Sequence, residues 1–95
     1  MPVFRIPGPL RSLSGGESMV AVEATDLRSA IDALDRRHPG LKGRLLDETG
    51  QPRQFVNIYV NEEDVRLGQG LDSGLAADDE VSIIPAVAGG RAPAR

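Results

Sequence analysis

Residues 25–40 read TDLRSAIDALDRRHPG, and this stretch decides the fold because the hydrophobic period changes here. Leu27, Ala30, Ile31 and Leu34 recur at i, i+3, i+4 and i+7, with Arg28, Asp32, Asp35 and Arg36 on the other side. On a helical period the first set makes an apolar stripe and the second a solvated face, which predicts an amphipathic helix of about three turns. Thr25 is the expected N-cap. Asp26 complements the positive end of the helix dipole and Arg36, Arg37 and His38 the negative end, with His38 read as a solvated residue. Pro39-Gly40 stops the helix.

Working outward, residues 2–6 alternate ahead of Pro7-Gly8-Pro9, and residues 18–23 (SMVAVE) follow the Ser14-Gly15-Gly16 turn signal. Two strands so close in sequence are most simply a hairpin. Downstream, residues 41–53 mix Leu41, Leu45 and Leu46 with turn residues, predicting one loose helical turn and then a loop. Residues 54–61 (QFVNIYVN) form the strongest strand, with Val56, Ile58 and Val60 on one face and Phe55, Asn57, Tyr59 and Asn61 on the other. The tract that follows is punctuated by Gly68, Gly70 and Gly74, with room for a short edge strand near residues 65–67. Asp78-Asp79 then turn into a last strand, EVSIIP, at residues 80–85.

The order strand, strand, helix, strand, short strand, strand requires a mixed sheet on which the one main helix packs from one side. The expected fold is α+β of the β-grasp, ubiquitin-like kind, with the last strand parallel to the first and the second sheet face open to solvent. Residues 1–88 are read as the domain and residues 89–95 as a flexible diglycine tail.

Composition narrows the function. A single domain of 95 residues is short for an enzyme that must also enclose a deep substrate cavity. A net charge of −3 gives no electrostatic reason to approach nucleic acid or an anionic membrane. No run approaches the roughly 18 consecutive apolar residues of a membrane span, and the first residues lack a signal-peptide layout, so the cytoplasm is the expected compartment. The chain contains no cysteine, which excludes disulfides, thiolate metal sites and a cysteine nucleophile.

The remaining chemistry-bearing residues do not assemble a catalytic site. His38 is the sole histidine, so neither a serine triad nor a histidine metal cluster is available. Glu62, Glu63 and Asp64, and likewise Asp78, Asp79 and Glu80, lack the spacing of an EF-hand loop and read as solvated turns. GQGLDSG (residues 68–74) lacks the Lys-Ser/Thr ending of a phosphate loop. No metal and no bound cofactor are expected.

What remains is the tail, AVAGGRAPAR at residues 86–95. Without a Cβ, Gly89-Gly90 fits a channel too narrow for other residues and leaves the Gly90 carbonyl open to attack. A terminal carboxylate can be adenylated with ATP by a partner enzyme and then attacked by sulfide or a persulfide to give a thiocarboxylate. That chemistry would place reactive sulfur on a chain without cysteine. A small-residue terminus of no function has the same composition.

FVNIYVNEEDVRL (residues 55–67) and LAADDEVSIIPAVAGG (residues 75–90), together with the element order, resemble the ubiquitin-like MoaD/ThiS family of sulfur carriers, and most of all its cysteine-forming branch. The resemblance implies a β-grasp carrier rather than an enzyme, adenylated at its C-terminal glycine by an enzyme resembling the ubiquitin-activating one. In that branch the sulfur passes to a pyridoxal-phosphate cysteine synthase and a zinc metallopeptidase acts at the carrier's end. Position by position, Gly90 would bear the thiocarboxylate and Gly89 would thread beside it. Carriers of this family end at the diglycine, whereas here Arg91 follows. The resemblance therefore implies a precursor cut between Gly90 and Arg91, with the metallopeptidase as the natural protease.

Phe55, Tyr59 and Val87 are the expected partner contacts, provided that the loop at residues 7–13 does not fold over the aromatics. Three other readings stay open: a protein modifier joined through Gly90 to a target lysine, the small subunit of molybdopterin synthase, and an interaction domain that makes no use of its diglycine.

Overall fold

The helical stripe forms where the period places it. In the computed structural model, which describes residues 1–54 and 56–85, α1 spans Leu27–Arg37 and buries Leu27, Ala30, Ile31 and Leu34 completely. Its N-cap is Asp26, not Thr25. Asp26 has extended backbone and its Oδ1 accepts the Ser29 N–H at 2.7 Å, satisfying one of the orphan donors of the first turn. Thr25 is used otherwise: its carbonyl accepts the Leu75 N–H at 2.9 Å, next to the Leu27 N–H bonded to Ser73, so the entry to α1 is tied to the loop before the last strand.

Two 3-residue strands, β1 (Val3–Arg5) and β2 (Met19–Ala21), make the predicted hairpin. After α1 comes the short helix α2 (Leu41–Leu45), which is the loose turn read from the sequence. The junction is held by Asp35, whose Oδ1 accepts from Gly40 N and Lys42 N at 3.0 and 3.2 Å. Gly40 has φ +105° there, a left-handed conformation that side-chain-bearing residues avoid. β3 spans Val56–Val60 and β5 spans Glu80–Pro85.

The short edge strand lies slightly earlier than expected. β4 is Glu63–Asp64, and Val65–Leu67 form a 3-10 turn instead. The cause is a tight connection: Asn61 and Glu62 both have positive φ, 50° and 75°, the two-residue type I′ geometry that suits the twist of a hairpin. The acidic turns are built as well as solvated. Asp64 Oδ1 accepts Arg66 N, while Asp79 accepts from Asn61 Nδ2 and from Ala76 N, the last two each at 2.8 Å.

The five strands pair in the order β2-β1-β5-β3-β4, with β1 and β5 parallel and the other neighbours antiparallel. One sheet face lies under the helices. Phe4, Val20, Val81, Ile83, Val56 and Ile58 from that face form one core with the α1 stripe and with Leu41, Leu45, Val65, Leu71 and Leu75. His38 departs from its solvated reading: it caps α1 with only 16% of its side chain exposed, its Nε2 3.3 Å from Glu17 Oε2. The loop that brings Glu17 there is held by Ser14, whose buried hydroxyl lies within hydrogen-bond distance of the Glu17 and Arg11 carbonyls.

Candidate partner-docking face

Side chains on a strand alternate between faces, so the residues between the core positions must point away from the helices. The pairing register then aligns one residue per strand in a row. Met19 on β2 sits opposite Arg5 on β1, Arg5 beside Ser82 on β5, Ser82 opposite Tyr59 on β3, and Tyr59 opposite Asp64 on β4. A second row begins with Asn57 opposite Ile84.

Tyr59 is half-buried on this face. The loop at residues 7–13 sends its leucines to the helix side and only Pro7 and Arg11 to the edge of this face. Gly8–Ser14 forms a 3-10 segment that buries Leu10 in the core, packs Leu13 against it and contacts α2. Of the residues singled out from the sequence, Tyr59 is the one placed on the face; Phe55, Val87, Gly89, Gly90 and Arg91 lie outside the described residues.

Four residues of the face escaped the sequence reading. Met19 and Ile84 are large apolar side chains 49% and 50% exposed. Arg5 and Arg11 join them around a hollow of about 380 Å³ that Ser18 and Ser82 also line. The signal for Ile84 was present: Ile83 and Ile84 are adjacent in a strand, so one of them has to face outward. The hollow itself had no such signal, because its walls come from the ends of three strands and from the loop after β1.

The face is braced electrostatically. Arg5 Nη1 pairs with Glu80 Oε2 at 3.1 Å. Arg66 spans from the 3-10 turn to β3 and the loop ahead of it, donating from Nη1 to Asn57 Oδ1 at 2.8 Å and from Nη2 to the Arg53 carbonyl at 2.6 Å. This clamps the entry to β3. At the opposite end of β3, the Ala76 N–H first and the Asn61 amide second hold the Asp79 carboxyl below its ordinary pKa, because both stabilise the ionised form. Among the described residues, no group of three or more His, Asp or Glu side chains is placed to hold a metal ion.

A mixed sheet of this order, carrying one main helix across one face and, among the described residues, no helix on the other, defines a β-grasp protein of the ubiquitin-like class. Within that class the chain belongs to the ThiS family, which residues 4–90 match. It is 44% identical over 87 residues to the sulfur carrier protein CysO of Mycobacterium tuberculosis, spanning 90% of this chain and 94% of that protein. A chain in the crystal structure of the Amycolatopsis orientalis BexX/CysO complex matches it with a TM-score of 0.89 and 40% identity, covering 95% of this chain and all (100%) of that one. SAMP1 from Haloferax volcanii is more distant, with a TM-score of 0.77 and 27% identity over 94% of this chain and 98% of that one.

Proposed function

We propose that this protein is a sulfur carrier, a protein co-substrate rather than an enzyme, whose reactive group is the Gly90 carboxylate. The observation that carries the reading is the extent of the family likeness. It runs through the β-grasp body and ends at residue 90, the second glycine of the pair.

The chemistry begins with maturation. Hydrolysis of the Gly90–Arg91 peptide bond by a peptidase, for which a zinc metallopeptidase is the natural candidate, frees the carboxylate. An adenylating enzyme of the ubiquitin-activating kind then lets that carboxylate attack the α-phosphorus of ATP, releasing pyrophosphate. Sulfide adds to the acyl carbon of the adenylate and AMP leaves, giving a thiocarboxylate. The sulfur passes to an acceptor enzyme, such as a pyridoxal-phosphate cysteine synthase. In the cysteine-forming version the product is released from the carrier's end by hydrolysis, which restores the carboxylate. Gly89 and Gly90 suit these steps because neither brings a Cβ into a narrow channel. The body contributes docking, with Tyr59 on the open face and Phe55 and Val87 as further contacts.

The likeness to a small archaeal modifier favours one second reading, in which Gly90 is joined to a target lysine. Intact mass of the protein recovered from sulfur-limited cells separates the two. Loss of residues 91–95 with one oxygen replaced by sulfur is the carrier result. Loss of the same residues accompanied by higher-mass conjugates and no sulfur is the modifier result, and an untouched chain ending at Arg95 overturns both.

A further inference from the structure

We infer that the hollow between Arg5, Arg11, Met19 and Ile84 is an anchor for an acidic side chain of the adenylating enzyme, framed by aliphatic contacts; this rests on the carrier reading above. The chain as a whole is acidic, with a net charge of −3, yet among the described residues two guanidinium groups and no carboxylate line this hollow, the Arg5 partner Glu80 lying outside the lining. Local charge of the opposite sign to the whole marks a place where an anion is attracted rather than repelled.

Arg11 is prepared for that role. Its Nε donates to the Ile6 carbonyl at 3.1 Å, which orients the planar group, and it forms no ion pair among the described residues. A guanidinium has five N–H donors, so the others remain to grip a carboxylate. Among the described residues Arg5 is engaged only by Glu80, in a pair whose side chains are 57% and 42% exposed. Such surface pairs are easily exchanged for a better partner.

The apolar frame argues for a protein carboxylate over a free anion. A small ion would leave Met19 and Ile84 in water, whereas an acidic side chain on a partner surface covers both while it meets the arginines. Topology argues for the enzyme that acts on Gly90. The hollow lies at the end of the sheet where β1 finishes, β2 begins and β5 reaches Pro85. Covalent geometry keeps Gly90 within about 18 Å of Pro85, so an enzyme holding Gly90 stands against this end of the sheet.

The test is calorimetric binding of the full chain to the host's own adenylating enzyme, at low and high salt. Arg11→Gln is expected to weaken binding by at least about tenfold, Arg5→Gln by several-fold, and both variants to show a shallower salt dependence. Arg5→Gln removes no bond to the backbone, so it keeps the test valid should Arg11→Gln lower the melting temperature. Affinities of both variants within about twofold of the parent would overturn the anchor while leaving the carrier reading in place. Inorganic phosphate, tried as a probe, is expected not to bind. Phosphate binding that both substitutions abolish, with enzyme affinity unchanged, would make the hollow a small-anion site and also overturn the proposal. A parent chain that fails to bind the enzyme both at full length and when ended at Gly90 removes the carrier reading itself, and the anchor with it.

Discussion

The two faces of the sheet are made by alternate residues of the same strands, and they differ in every property that bears on function. On the helix side, Phe4, Val20, Ile58, Val81 and Ile83 are almost wholly removed from water. On the open side, their immediate neighbours Arg5, Met19, Tyr59, Ser82 and Ile84 are exposed or half-buried. One face therefore carries the stability, while the other keeps two large apolar side chains, Met19 and Ile84, half in water. Exposed apolar groups of that size are what a docking surface on this face would use.

That contrast can be broken most sharply in the core. Phe4→Ala or Leu34→Ala removes a fully buried side chain and is expected to cost about 3–5 kcal/mol in denaturant unfolding. Ile84→Ala on the other face is expected to change stability by less than about 0.5 kcal/mol. Comparable losses at both positions would mean that the open face is covered.

Tyr59→Ala sharpens the comparison from the functional side. It is expected to weaken association with the adenylating enzyme by about tenfold with little change in melting temperature. Unchanged affinity would remove Tyr59 from the partner contacts and leave docking to the β1–β2 side of the same face.

A smaller effect is expected at the β3–β4 turn. Glu62 has φ +75°, which costs a non-glycine residue about 1 kcal/mol. Glu62→Gly is therefore expected to stabilise the protein by up to that amount, measured as a shift of the denaturation midpoint.

The pH dependence is smaller again and has a definite sign. Asp26 is held low by the Ser29 N–H and hydroxyl, Asp47 by the Thr49 hydroxyl and the Gln51 N–H, and Asp79 by the Ala76 N–H and the Asn61 amide. Groups whose pKa falls on folding add stability above their unfolded value, near 3.9, and lose it as the pH drops through the lowered folded value. The melting temperature is thus expected to hold from neutrality to about pH 4 and to fall below it. Asp79→Asn should flatten that acid limb, and an identical limb in the variant would show that Asp79 plays no part in it.

Much of the fold was legible because its signals are local. The α1 stripe, the alternation of β3 and the Asp78-Asp79 turn into β5 are each contained within a short window of sequence. The departures arose where a distant segment competed for a local role. Thr25 satisfies the local rule for an N-cap, but its carbonyl is taken by Leu75, and Asp26 caps instead. His38 reads as solvated until the loop carrying Glu17 is folded against it. Of the candidate docking face, Tyr59 follows from the strand period, whereas Arg5, Arg11 and Met19 have no meaning as a group until β1, β2 and β5 lie side by side. Gly89 and Gly90 were singled out by residue type and lie outside the described residues.

The sequence by itself determined the period of each element, which face of each strand is apolar, the absence of cysteine, and the diglycine on which carrier chemistry would act. These follow from short-range sterics and from hydrophobic alternation, which need no partner segment. The element order already led to a last strand parallel to the first; only the tertiary structure decided the register of that contact, pairing Val3 with Glu80 and Arg5 with Ser82. No local rule specifies that contact. It closes a loop of most of the chain, and it forms because burying Phe4, Val81 and Ile83 beneath α1 outweighs the entropy of closing that loop. The same closure brings two arginines and two aliphatic side chains from separate strands and a loop into one hollow.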